Sequence, residues 1–136
     1  MKALTWKGTG LAMVLCLMSI AHTAGAADIN GTWSTDLASC KSLFVKSGDR
    51  VEFAKGAGIA GNGFIVTGDK ITGQFSSCSI SRRKEAGAIL HLVAECSNDV
   101  ALSSMQFSVK IVSSNEIVRI FPGIDDLNTA YYRCPM

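Results

Sequence analysis

The sequence predicts an all-β fold: a small antiparallel meander β-barrel of about eight strands, held by two disulfides. Three observations carry that expectation. Met105-Gln106-Phe107-Ser108-Val109-Lys110-Ile111 alternates apolar and polar residues without a break, the period of a strand with one buried face. Turn signals recur throughout, at Ser47-Gly48-Asp49, Thr67-Gly68-Asp69, Ala86-Gly87, Ser97-Asn98-Asp99, Ser113-Ser114-Asn115 and Pro122-Gly123. Cys40, Cys78, Cys96 and Cys134 form the even set that a small exported domain uses as a disulfide framework.

At the amino terminus, Lys2 and Lys7 precede an apolar run from Gly10 to Ala21, and small residues follow as far as Ala24-Gly25-Ala26-Ala27. A basic region, a short apolar stretch and an A-x-A-like site make a secretory signal peptide. Residues 1–26 are therefore expected to be removed, leaving residues 27–136 as one periplasmic or secreted domain. The apolar run falls short of the ~20 residues that a spanning helix needs, and no later segment reaches that length, so no membrane insertion is expected. Cys16 follows Val14-Leu15, where a lipid-attachment site would want a small residue. Of 13 Lys and Arg, Lys2 and Lys7 belong to the leader, so the remaining eleven balance 11 Asp and Glu. A neutral domain has no long-range field to gather phosphate backbones or anionic bilayers, which argues against nucleic acid as a partner.

Strands are expected at residues 31–34, 43–46, 50–54, 64–66, 70–82, 88–96, 102–112, 116–121 and 130–134. Residues 35–39 read as one helical turn capped by Thr35 or Asp36. Arg82-Arg83-Lys84, beside Glu85-Ala86-Gly87, reads as a solvated hairpin tip. Cys78 and Cys96 lie at comparable distances on either side of Ala86-Gly87 and can face each other across neighbouring strands. That pairing leaves Cys40 with Cys134, tying the front of the domain to its last strand; four cysteines allow two other connectivities. In the loop-entropy picture, a loop of ~100 residues closed this way is worth about 4–5 kcal/mol and one of ~20 residues about 3 kcal/mol. No two cysteines stand as C-x-x-C, so no metal is expected. Val51, Phe53, Ile71, Phe75, Met105, Phe107, Val109 and Ile111 have the bulk to fill a barrel this small, which disfavours a large cavity.

Motifs that carry chemistry are few. Gly56-Ala57-Gly58-Ile59-Ala60-Gly61 spells a dinucleotide fingerprint, but Asn62-Gly63-Phe64-Ile65-Val66 reads as turn and strand where the fingerprint needs a helix. No nucleotide or other cofactor is expected. His91, the one histidine beyond the leader, shares a strand face with Val93 and Glu95, opposite Leu90, Leu92 and Cys96, and so points outward if the cysteine face is interior. No G-x-S-x-G turn accompanies it. Asp125-Asp126 lacks the oxygen ligands of a calcium loop, and Asn30-Gly31-Thr32 spells a glycosylation acceptor.

Gly31-Thr32-Trp33 resembles the G-x-W that opens the first strand of lipocalins and their calycin relatives. The resemblance implies a tryptophan that plugs the closed end and stacks on a basic residue near the last strand, Arg133 first and Arg119 second. The layout as a whole, with Gly31-Thr32-Trp33, four cysteines and Tyr132-Arg133-Cys134, is similar to small exported proteobacterial β-barrel proteins whose function is not established. It implies a fold and a compartment and no activity. By elimination, the expected function is a monomeric binding or inhibitor-like module, not an enzyme, acting through loops or an exposed face on an envelope or extracellular macromolecule. The alternatives are a carrier of a small hydrophobic ligand, which needs a cavity of ~300 Å³ or more, and a hydrolase using His91, which needs a hydroxyl or carboxylate within ~3 Å.

Overall fold

The computed structural model describes residues 27–59 and 62–136; the expected leader over residues 1–26 lies outside them, as do Ala60 and Gly61 of the glycine-rich stretch. Ten strands run β1 (Gly31–Ser34), β2 (Phe44–Ser47), β3 (Arg50–Phe53), β4 (Gly63–Thr67), β5 (Lys70–Thr72), β6 (Ser77–Ala86), β7 (Ile89–Ser97), β8 (Leu102–Ser113), β9 (Glu116–Ile120) and β10 (Thr129–Arg133). Eight of them close an antiparallel barrel in the order β1-β10-β9-β8-β7-β6-β5-β4, and β2 and β3 pair separately. Closure leaves no unpaired sheet edge in the barrel.

Alternation sets the walls. Along β7, Leu90, Leu92, Ala94 and Cys96 are buried, while His91 and Glu95 face solvent. The register places Leu92 beside Phe107 and Leu90 beside Val109, so β8 points the same apolar phase inward. The single strand expected over residues 70–82 is divided: Gly73 N–H donates to the Ser76 carbonyl at 2.8 Å, and this tight loop separates β5 from β6. Arg82, Arg83 and Lys84 lie within β6 and not at a hairpin tip, because the turn falls at residues 87–88. The turn read at residues 35–39 is a 3-10 turn, Leu37–Ser39, capped by the Asp36 carboxylate on the Ala38 N–H at 2.9 Å. It leads directly into a short helix, α1 (Cys40–Leu43).

Helix α1 and the β2–β3 hairpin form a layer on the outside of β1 and β4. Leu43, Phe44 and Ala57 pack there against Ile65 and the Cys40–Cys134 disulfide, with Val51 and Phe53 beside them. Phe44 and Phe53 are in ring contact at 5.2 Å. Gly63 permits this approach, since a Cβ there would lie 2.7 Å from the Trp33 carbonyl and 2.9 Å from the Phe44 ring. The second bridge, Cys78–Cys96, joins directly paired residues of β6 and β7. Both bridges follow the connectivity that hairpin spacing suggests, and two disulfides mark a chain that matures in an oxidising environment. Among the described residues, no helix is long and apolar enough to cross a membrane.

The base of the barrel is sealed. Trp33 is fully buried there, its Nε1 donating to the Ile29 carbonyl at 2.9 Å. The Arg133 guanidinium lies over the Trp33 ring at 4.4 Å. It also donates to the carbonyls of Ser114 at 2.7 Å and Asp28 at 3.3 Å, and to that of Asn30. Residues 27–30 are thereby drawn across the base, where Ala27 N–H donates to Glu85 at 2.8 Å.

Candidate functional site

Among the described residues, the opposite end is open. Its rim comprises the ends of β1 and β4, the loop at residues 73–76, the loop at residues 98–101 and the loop at residues 121–128. Behind the rim lies a cavity of about 380 Å³. Ile29, Val66, Leu92, Val109 and Ile117 make its floor; Phe64, Ile71, Phe107 and Tyr131 make its walls, with Met105, Gln74 and Phe75 at the opening. Phe64 and Tyr131 meet edge to face at 4.9 Å, which stiffens one wall.

This space corrects the expectation of a barrel filled by its own side chains. Four of the eight residues assigned to the interior are elsewhere or only partly inside. Val51 and Phe53 belong to the outer hairpin. Phe75 sits in the loop at residues 73–76, 79% exposed, and Met105 is 37% exposed at the opening. Ile71, Phe107, Val109 and Ile111 do pack with the barrel core. With Val51 and Phe53 outside and Phe75 and Met105 only at the opening, the interior keeps room that the remaining four cannot fill.

Among the described residues, one charged side chain lines the cavity, that of Arg119. Register pairs Arg119 with Val109, whose side chain is interior, so the arginine is in phase with Ile117 on the inner face of β9. Its guanidinium carbon lies 4.9 Å from the Phe107 ring centre and 4.6 Å from that of Phe121. Arg119 was the second candidate for stacking on Trp33; Arg133 makes that contact, and Arg119 serves the cavity. A signal for this was present in Ile117-Val118-Arg119-Ile120-Phe121, where the charge falls on the same alternate positions as two apolar residues.

His91 is on the outer face, exposed, with its Nδ1 3.0 Å from the half-buried Ser108 hydroxyl across the β7–β8 ladder. The distance asked of a hydrolase is therefore met. The neighbour of His91 on β6 is Lys84, and neither His91 nor Ser108 borders the cavity. Residues 57–59 form a 3-10 turn that leads to β4, so no long helix opens after the described glycines of the fingerprint-like stretch. Asp125 and Asp126 lie in a 3-10 turn of the rim, and among the described residues no cluster of His, Cys, Asp and Glu is placed to hold a metal. Comparison of the chain with protein-family models, with curated proteins and with solved structures gave no match.

Proposed function

We propose that this chain is an exported, non-catalytic carrier of a small, mainly apolar molecule, held in the barrel and taken up through the open end. The observation that supports it is the cavity of about 380 Å³ with its apolar floor and aromatic walls. That volume lies in the ~300–1,000 Å³ range of small-molecule sites, which characteristically combine apolar linings with few polar groups. The signal-peptide-like leader and the paired cysteines support a periplasmic or secreted location.

The test is titration of the disulfide-bonded protein with the neutral apolar dye N-phenylnaphthylamine, followed by its fluorescence. One dye is expected to bind per chain, and Met105→Trp, which places a large ring at the opening, is expected to weaken binding at least tenfold with thermal unfolding unchanged. Absence of binding, or equal binding by the variant, would overturn the reading.

A second reading, docking of the rim onto an envelope or extracellular macromolecule, is favoured by a separate observation. Val100 and Leu102 are 90% and 86% exposed, and Phe75, Ile124 and Leu127 are exposed on the neighbouring rim loops. Apolar side chains gathered at one end of a protein mark interaction sites more often than scattered ones do.

A further inference from the structure

We infer that the cavity selects a singly charged anionic amphiphile, a carboxylate with a short apolar body, and that Arg119 is the residue that holds its headgroup. This rests on the carrier reading and adds the chemical class of the ligand. Among the described residues, the lining holds the Arg119 cation and no carboxylate, so its charge is not balanced by them within the cavity wall. A guanidinium beside apolar walls is less well solvated than one on an open surface, and an incoming anion restores the balance.

The stacking geometry keeps the donors available. Contacts with Phe107 and Phe121 engage the guanidinium charge through ring faces and consume none of its five N–H groups. They also fix the plane of the fork, which suits bidentate recognition of a planar carboxylate. A dianion such as a phosphate monoester would bring a second charge with no partner in the lining, at a cost that burial raises.

Depth gives the ligand its direction. Arg119 stands next to the last residue of β9, whose far side is the rim loop at residues 121–128, whereas the floor residues Ile29 and Ile117 are buried. A bound amphiphile therefore places its headgroup at the wet end and its apolar body on the floor. The volume of about 380 Å³ limits that body to a short chain or a small ring system.

Isothermal titration of the disulfide-bonded protein with octanoate, octanol and octylamine tests the inference. Octanoate is expected to bind roughly tenfold to hundredfold more tightly than octanol, the range of a charge-assisted hydrogen-bonded pair, and octylamine most weakly. Arg119→Gln is expected to erase the octanoate preference while leaving octanol affinity within about twofold, and Arg119→Lys to retain part of it. If Arg119→Gln does not fold, the wild-type preference itself is read against salt: it is expected to shrink as ionic strength rises. Equal binding of octanoate and octanol by the wild type would overturn the role of Arg119 and leave the carrier reading standing. Absence of binding by all three would overturn both.

Discussion

At the base of the barrel Trp33 is completely buried beneath residues 27–30, whereas at the mouth Phe75, also aromatic, is 79% exposed. The same eight strands supply both ends. What differs is where the loop backbones find their hydrogen bonds. Residues 27–30 offer carbonyls that are met by Arg133 and Trp33, groups rooted in the barrel, so satisfying the backbone pulls the segment across the opening. The mouth loops satisfy themselves. Asn98 Oδ1 accepts from Val100 and Ala101 N–H at 3.0 and 2.8 Å, and Asn128 Oδ1 accepts from Phe121 N–H at 2.9 Å. Gly73 bonds to Ser76 within its own turn. Loops closed locally in this way have no need to fold inward, and the end stays open.

The contrast can be broken most severely at Trp33. Trp33→Ala is expected to lower the unfolding free energy by about 3–5 kcal/mol, while Phe75→Ala changes it by no more than about 0.5 kcal/mol; urea denaturation of the two variants measures the difference. Comparable losses would show that the mouth is as structurally committed as the base.

A smaller effect is expected at Gly31, which has φ near 130° and where a Cβ would approach the Arg133 guanidinium to 2.5 Å. Gly31→Ala should cost about 1–3 kcal/mol in the same assay, because both the backbone conformation and the space exclude a side chain. Arg133 would have to leave the Asn30 carbonyl, loosening the base and not the mouth.

The smallest effect sharpens the comparison through pH. The Asn30 backbone N–H and then its side-chain amide bond to the Asp28 carboxylate, and Arg133 and Arg83 add attraction; together they hold it below its ordinary value of 3.8. The folded state thus binds this proton less readily than the unfolded chain. Its contribution is complete above the ordinary carboxylate range and disappears as pH falls through the depressed value. Asp28→Asn is expected to lower stability slightly at neutral pH, where the contribution is complete, and to converge with the wild type below about pH 4, flattening the acid limb; the effect is small because Asp28 is exposed. Thermal melts across that range read it directly.

Much of the base was legible in residue order. Gly31, Trp33 and Arg133 stand out through the resemblance of Gly31-Thr32-Trp33 to the lipocalin G-x-W, which implies a stacked basic residue near the last strand, and register does pair Trp33 with Arg133. The division of residues 70–82 by a loop was not legible, since Ser76-Ser77 breaks alternation no more visibly than an ordinary surface pair. Arg133, the first candidate for the Trp33 ring, makes that contact; the place of Arg119, the second, beside Phe107 and Phe121 was not legible, because its sequence neighbours do not say which strand lies beside it.

By itself, the sequence indicated most strand phases and turns, and it favoured, among three connectivities, the pairing of Cys78 with Cys96 across a hairpin and of Cys40 with Cys134 that the structure shows. These are local or nearly local properties: side chains alternate every second residue, and a hairpin sets who faces whom. The tertiary structure alone decided that β2 and β3 leave the barrel, that Val51 and Phe53 go with them, and that a cavity holding Arg119 remains. Alternation specifies which residues share a face. It is silent on whether that face lines the barrel or covers its outside, and on how much volume is left once the walls have closed.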